Sequence, residues 1–154
     1  MTKSTIAQKT SNGEMAVGGL FSGLWAGLVM SAYLLVAGLL GGSTFVESFT
    51  RLSLTESAEP WMATLTHLAV SAVYGLVYGL VYAFITRRWR WEISWWLALA
   101  LGALYGLILW LLAVNILAPG TVNPLREITP AVLVGAHLVY GLALGGLIYR
   151  VRND

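Results

Sequence analysis

Two histidines are the side chains of this sequence best suited to bind a ligand in an apolar environment. His67 and His137 lie six or seven residues inside long charge-free spans that begin near Trp61 and Pro130. Two imidazoles that face each other in a helical bundle can ligate the iron of a haem b, or hold a chlorophyll-type pigment. Each can instead contact a quinone or another polar ligand, or donate a hydrogen bond to a backbone carbonyl. A cofactor-binding role and a structural role therefore both stay open for His67 and His137.

Three tyrosines and one asparagine are the other polar side chains of interest in these spans. Tyr74, Tyr78 and Tyr82 recur every four residues and so lie on one face of a helix. Such a stripe packs against a neighbouring helix, or it lines a ligand cleft or a narrow pore. Asn115 is a candidate pore-lining residue, and it is also expected to form a hydrogen bond between helices.

The chemistry that the chain lacks excludes several classes of function. No charge-free span contains Asp, Glu, Lys or Arg, and the chain has no cysteine. Proton relays and cation sites in membranes use ionisable side chains, and catalytic metal sites need about three protein ligands. We therefore expect no enzymatic activity, no catalytic residue and no metal site. The net charge of +2 gives no basic surface for nucleic acid.

The scarcity of charge also predicts which helices carry these residues. Of the 154 residues, 58% are hydrophobic and 10% are charged, and the mean hydropathy is +0.75, whereas soluble domains carry about 25% charged residues. The charges fall in five short clusters, and each span between them exceeds the roughly 20 residues that cross a bilayer as a helix. We predict an all-α membrane protein, a single domain of residues 1–154, with helices over about 15–40, 61–86, 94–117 and 130–149.

The distribution of basic residues predicts the orientation of these helices. The two termini and the connection between the second and third helices hold Lys3, Lys9, Arg87, Arg88, Arg90, Arg150 and Arg152, whereas the other two loops hold only Arg51 and Arg126. By the positive-inside rule, both termini lie in the cytoplasm, and we expect a bacterial inner-membrane location.

The first outer loop, residues 43–59, contains a helix-start signal. Thr44 and Glu47 have the spacing of a capping box, and Phe45, Phe49 and Leu52 follow at helical intervals. The loop is therefore either a short helix on the membrane surface or an irregular connection.

An internal repeat divides the chain into two helical hairpins. The sequence Val-Tyr-Gly-Leu at 73–76, followed by Gly79, recurs at 139–142, followed by Gly145. The first and third helices match more weakly, with Gly23 on Gly102 and Gly27 on Gly106. Hairpins of two helices have the same orientation, so we predict two parallel repeats, about 15–86 and 94–149, related by an axis along the membrane normal. In this alignment His67 and His137 are four residues out of register.

Glycines at four-residue spacing occur in every predicted helix. This spacing lets helix backbones approach closely in lipid, and its presence in all four helices predicts a tight bundle. The candidate packing residues are Gly19, Gly23, Gly27, Gly75, Gly79, Gly102, Gly106, Gly141 and Gly145.

The last helix carries a resemblance to a known group of proteins. The run from Gly135 to Gly145, with His137 followed by Tyr140-Gly141, resembles the last helix of small bacterial membrane proteins of the YagU type. The glycine-rich second helix is similar as well. The resemblance implies a four-helix inner-membrane protein, and it implies no catalytic residue.

Three functions are compatible with these features. The first is a non-enzymatic accessory, assembly or structural subunit that packs in the bilayer through its glycine faces, against itself or against other membrane subunits. The second is a haem- or pigment-binding redox module that uses His67 and His137. The third is a pathway for a small solute or an ion along the tyrosine stripe.

Overall fold

Four long helices and one short helix make up the part of the chain that the computed structural model describes, residues 11–50, 59–88, 93–117 and 128–153. The helices are α1 (Asn12–Leu40), α2 (Phe45–Thr50), α3 (Pro60–Arg88), α4 (Trp95–Leu112) and α5 (Pro130–Asn153), and a π-helical turn, Ala113–Leu117, continues α4. The described residues contain no strand. Helices α1, α3, α4 and α5 are long and apolar enough to cross a membrane, so the predicted all-α fold with four such helices is confirmed.

Three of the long helices, α1, α3 and α5, extend beyond the apolar spans that predicted them. α1 begins at Asn12 because Ser11 and Glu14 form a capping box: the Ser11 amide donates to Glu14 Oε2 (2.5 Å), and the Glu14 amide donates to Ser11 Oγ (3.1 Å). α5 continues to Asn153 and has Arg150 and Arg152 in its last turn. Cations favour the negative end of the helix dipole, so these arginines end the apolar span without ending the helix.

The helix-start signal after α1 is also confirmed. The Thr44 amide donates to Glu47 Oε2 (2.7 Å), and the Glu47 amide donates to Thr44 Oγ1 (3.2 Å), which forms the capping box of α2. Ser48 faces α1, because a Cβ added at Gly38 would lie 2.5 Å from Ser48 Oγ. Leu52, which was expected to extend this helix, lies outside the described residues.

Glycines bring the long helices into backbone contact in two antiparallel pairs. A Cβ added at Gly75 of α3 would meet the carbonyl of Gly19 and the Cα of Gly23 in α1. In the pair α4 and α5, a Cβ added at Gly141 would meet the carbonyl of Gly102 and the Cα of Gly106. No side chain fits at either position without a shift of the backbone.

This contact register corrects the alignment of the first and third helices. Gly102 contacts Gly141 in the way that Gly19 contacts Gly75, so the counterpart of Gly102 is Gly19, four residues before the Gly23 that sequence matching gives. The three equally spaced glycines of α1 fit both alignments, and only the contacts of α1 with α3 decide between the two. The remaining glycine, Gly27, lies against the Ser71 side chain.

The helix α1 joins the two pairs. It packs along α5 as well as along α3, with Gly18 against Val151 and with the Tyr33 hydroxyl against Gly135. Neighbouring helices thus follow the order α3, α1, α5, α4. Within the described ranges, α3 has no comparable backbone packing with α4 or with α5, and side chains fill the space between them.

We predict that alanine at the glycine contacts destabilises the bundle. Gly75→Ala and Gly141→Ala each place a methyl group against backbone atoms, and overpacking of this kind costs about 1–3 kcal/mol. In Gly13→Ala, the matched control, the added Cβ lies 3.8 Å from its nearest neighbour, Ser11 Oγ. Reversible unfolding by SDS in mixed micelles measures the three free energies of unfolding. Equal values for Gly75→Ala, Gly141→Ala and Gly13→Ala would contradict the importance of these contacts.

Candidate functional site

Five tyrosines from three helices fill the space between α3 and the helices α4 and α5, whose backbones do not pack closely against α3. We call this cluster the tyrosine seam; its members are Tyr74, Tyr78 and Tyr82 of α3, Tyr105 of α4 and Tyr140 of α5. The Tyr78 ring lies 5.0 Å from the Tyr105 ring and 6.0 Å from the Tyr82 ring, centroid to centroid, with tilts near 45° in both pairs. The predicted stripe of α3 thus faces a neighbouring helix, and it does so where α3 lacks close backbone packing.

Two tyrosines bridge the seam at its Tyr74 end. Tyr105 Oη donates to the Tyr74 carbonyl at 2.9 Å, and Tyr140 Oη donates to the Ser71 carbonyl at 2.7 Å. Both acceptors belong to α3, one helical turn apart. These bonds tie α4 and α5 to α3, and they involve side chains that take no part in the glycine contacts of the helix pairs.

Two buried hydroxyl groups lie next to the bridge, towards the end of the bundle that carries Ser11 and Asn153, which we call the terminal end. Among the residues that the structure describes, the Oη atoms of Tyr78 and Tyr82 have no hydrogen-bond partner, although these side chains are only 4% and 2% exposed. The Arg152 guanidinium lies over the Tyr82 ring, with Cζ 6.0 Å from its centroid. A buried hydroxyl without a partner costs about 1–3 kcal/mol.

Two further polar atoms without partners lie on the other side of the bridge. Nε2 of His67 and Nε1 of Trp110 are buried and make no hydrogen bond within the described part of the chain. His67 precedes Ser71 in α3 and Trp110 follows Tyr105 in α4, so both lie nearer the opposite end of the bundle than the bridging bonds do. His67 and Tyr78 are eleven residues apart, which is about 16 Å along the helix axis.

His137 has different surroundings from His67. Its Nδ1 lies 2.9 Å from the Leu133 carbonyl, and as a donor there it leaves Nε2 as an acceptor. Its own carbonyl lies against Gly106, as the Ser71 carbonyl lies against Gly23. The contact position of His137 in α5 therefore corresponds to that of Ser71 in α3, one turn from His67, which agrees with the predicted mismatch. The two histidines thus occupy positions that are not equivalent in α3 and α5. The binding of a haem or a pigment by both of them stays a prediction.

Asn115 lies apart from this arrangement. Its side chain is exposed, and its amide donates to the Leu111 carbonyl at 2.8 Å within the same helix. Contrary to expectation, it links no two helices in the described structure. No group of three or more potential metal ligands occurs among the residues that the structure describes.

The sequence-based reading missed three of the residues that form the site. Tyr105, Trp110 and Tyr140 were not candidates for a ligand site, because a single aromatic residue in an apolar helix has no periodic signal of its own. Tyr140 does stand in the repeated Val-Tyr-Gly-Leu motif. Tyr105 and Tyr140 share one signal in the sequence: each directly precedes a helix-packing glycine, Gly106 or Gly141.

Comparison with protein-family models, with curated proteins and with solved structures finds no match for this chain. The resemblance to YagU-type proteins therefore depends only on the residues quoted for it and stays a prediction.

The bridging and the partnerless tyrosines are expected to respond differently to loss of the hydroxyl group. Tyr105→Phe and Tyr140→Phe each remove an interhelical hydrogen bond, and such bonds contribute about 0.6 kcal/mol on average in membrane proteins, with a maximum near 1.7. Tyr78→Phe removes a hydroxyl that has no partner, so the free energy of unfolding should stay equal or rise. SDS unfolding of the three variants measures these changes. A loss for Tyr78→Phe as large as that for Tyr140→Phe would show that Tyr78 has a protein partner.

Proposed function

We propose that this protein is an integral membrane protein that binds a small polar solute in the tyrosine seam and gives it a pathway between the two ends of the bundle. One observation carries the proposal: four buried polar atoms without partners flank the bridging tyrosines, two on each side. Native interiors contain few such groups, and each calls for a compensating partner such as water or a ligand. A solute that moves along the seam would be that partner at each position in turn.

The lack of backbone packing along the seam supports movement of a solute there. The backbones of α1 and α3, and of α4 and α5, are in direct contact at glycines, whereas α3 meets α4 and α5 through side chains. In the proposed pathway, rotation of the Tyr105 and Tyr140 side chains would exchange a carbonyl of α3 for the passing solute. The glycine contacts of the helix pairs involve neither side chain.

The same contacts support a repeat of two parallel hairpins, which we include in the proposal. The pairs α1–α3 and α4–α5 share one contact register, in which Gly19, Gly23 and Gly75 correspond to Gly102, Gly106 and Gly141. The glycines would thus be the packing residues of each hairpin. The seam would arise where the symmetry between the hairpins fails, because α1 packs on α5 and α3 does not pack on α4 in the same way.

The accessory-subunit hypothesis receives less support than the solute pathway. That hypothesis assigns the glycine faces of the helices to contacts with partner proteins. The nine candidate packing glycines, however, all lie against other helices of the same chain. Association with another membrane subunit, or with a second copy of this chain, would need other surfaces and stays a prediction, as does the expected lack of enzymatic activity.

We further propose a bacterial inner membrane with both chain termini in the cytoplasm. Arg87, Arg88, Arg150 and Arg152 support this orientation, since they lie in the last turns of α3 and α5 at the terminal end. The positive-inside rule places such a cluster in the cytoplasm.

Single cysteines test this orientation directly, because the chain has none of its own. A membrane-impermeant maleimide added to intact spheroplasts should label Glu59→Cys, an exposed position before α3. It should label Asn153→Cys, at the end of α5, only after the membrane is opened. Labelling of Asn153→Cys in intact spheroplasts would show that the proposed orientation is inverted.

Solute flux through proteoliposomes tests the pathway. Purified full-length protein should increase the entry of at least one of glycerol, urea, formate and ammonium over protein-free liposomes. Tyr78→Phe and His67→Phe should lower that entry, because each removes a partner for the solute on one side of the bridge. Tyr33→Phe, a hydroxyl deletion at the contact of α1 with α5, is the matched control and should leave it unchanged. No entry above protein-free liposomes for any solute would contradict the pathway.

A further inference from the structure

Although their positions in the helices differ, the two histidines share one arrangement of their ring nitrogens. His137 Nδ1 donates to the Leu133 carbonyl at 2.9 Å, because a carbonyl can only accept. The His67 ring hydrogen-bonds to the Gly27 carbonyl of α1, which also accepts from Ser31 Oγ at 2.9 Å. Since His67 Nε2 has no partner among the described residues, Nδ1 is the donor. In both neutral rings, Nε2 therefore keeps a lone pair.

The fold brings these two rings to one level of the bundle. Helices α3 and α5 both end at the terminal end, and the hydrogen bond from Tyr140 Oη to the Ser71 carbonyl joins them. His137 and His67 precede these two residues by three and four positions, about one helical turn, so both lie on the side of the bond away from the terminal end. The imidazoles are close enough to interact electrostatically. Their mismatch within the repeat therefore does not keep the rings apart.

From these observations we propose that His67 and His137 bind a monovalent copper ion, Cu(I), through their Nε2 atoms. A histidine that ligates a metal almost always donates its other ring N–H to a carboxylate, a backbone carbonyl or water, which fixes its tautomer and orients the ring. Both rings have this arrangement with a carbonyl. Imidazole is a common ligand of copper, and Cu(I) is stable with two nitrogen ligands on opposite sides. The proposal concerns binding alone and does not rest on the solute pathway.

The surroundings of the rings favour a monovalent ion over a divalent one. The chain has no cysteine, and the spans 15–46, 60–86 and 128–149 contain no Asp or Glu. These spans thus offer no anionic ligand, and a buried charge without a counter-charge is costly. Zn²⁺ also needs about three or four protein ligands. The proposal revises the expectation of no metal site, because that expectation counted the ligands of a catalytic site and Cu(I) needs fewer.

Competition with a chromogenic Cu(I) chelator tests the site. Full-length protein in detergent is titrated with Cu(I) under argon, with ascorbate as the reductant and bicinchoninate as the competitor, and it should withdraw copper from the chelator. His67→Phe and His137→Phe should each lower the affinity for Cu(I) by more than about a hundredfold, the upper limit for loss of an outer-shell group. Met62→Leu removes an exposed thioether from α3. It is the matched control and should bind Cu(I) as the unmodified protein does.

X-ray absorption at the copper edge of the unmodified protein identifies the ligands without any variant. Two nitrogen ligands support the site, whereas sulfur ligands overturn it. No withdrawal of copper from bicinchoninate, or withdrawal that both histidine variants retain, also overturns the proposal. Zn²⁺ binding at least as tight as that of Cu(I) overturns the choice of ion. Circular dichroism of each variant before titration separates loss of binding from loss of fold.

Discussion

Direct contact between helix backbones is the constraint on which the rest of this structure depends. In a bilayer the hydrophobic effect does not drive helices together, so association relies on close packing and on hydrogen bonds. Gly19, Gly23 and Gly75 in one pair, and their counterparts in the other, leave no room for a side chain. This contact fixes the register of each pair, and α1 then joins the pairs by packing along α5.

The seam follows from that same constraint. When two helices are in contact at glycines on one face, wider gaps are left between their other faces and the neighbouring helices. Large, flat side chains fill such gaps best. Tyrosine brings a hydroxyl group with its ring, and each buried hydroxyl needs a partner. Tyr105 and Tyr140 find theirs in carbonyls of α3, whereas Tyr78 and Tyr82 find none.

The sequence is sufficient to predict features that depend on local pattern. The four apolar helices and the capping box at Thr44 follow from spacing along the chain, and the structure bears them out. The register of α1 against α3 does not follow, since Gly19, Gly23 and Gly27 are equivalent until a partner helix is present. For the same reason the sequence cannot show that Asn115 bonds within its own helix, or that Tyr105 reaches the carbonyl of Tyr74.

The scarcity of charge has a different meaning once the interior is known. In the sequence, it leads us to expect neither catalysis nor cation chemistry in the spans. In the structure, the same absence means that no carboxylate of α3 or α4 can serve as a partner for the buried polar atoms of Tyr78, Tyr82 and Trp110, which make no hydrogen bond among the described residues. Water would satisfy such atoms in a soluble protein, but in a bilayer each must find a partner within the bundle or in what passes through it. Under the proposed function, that partner is a small solute with hydrogen-bonding groups of its own.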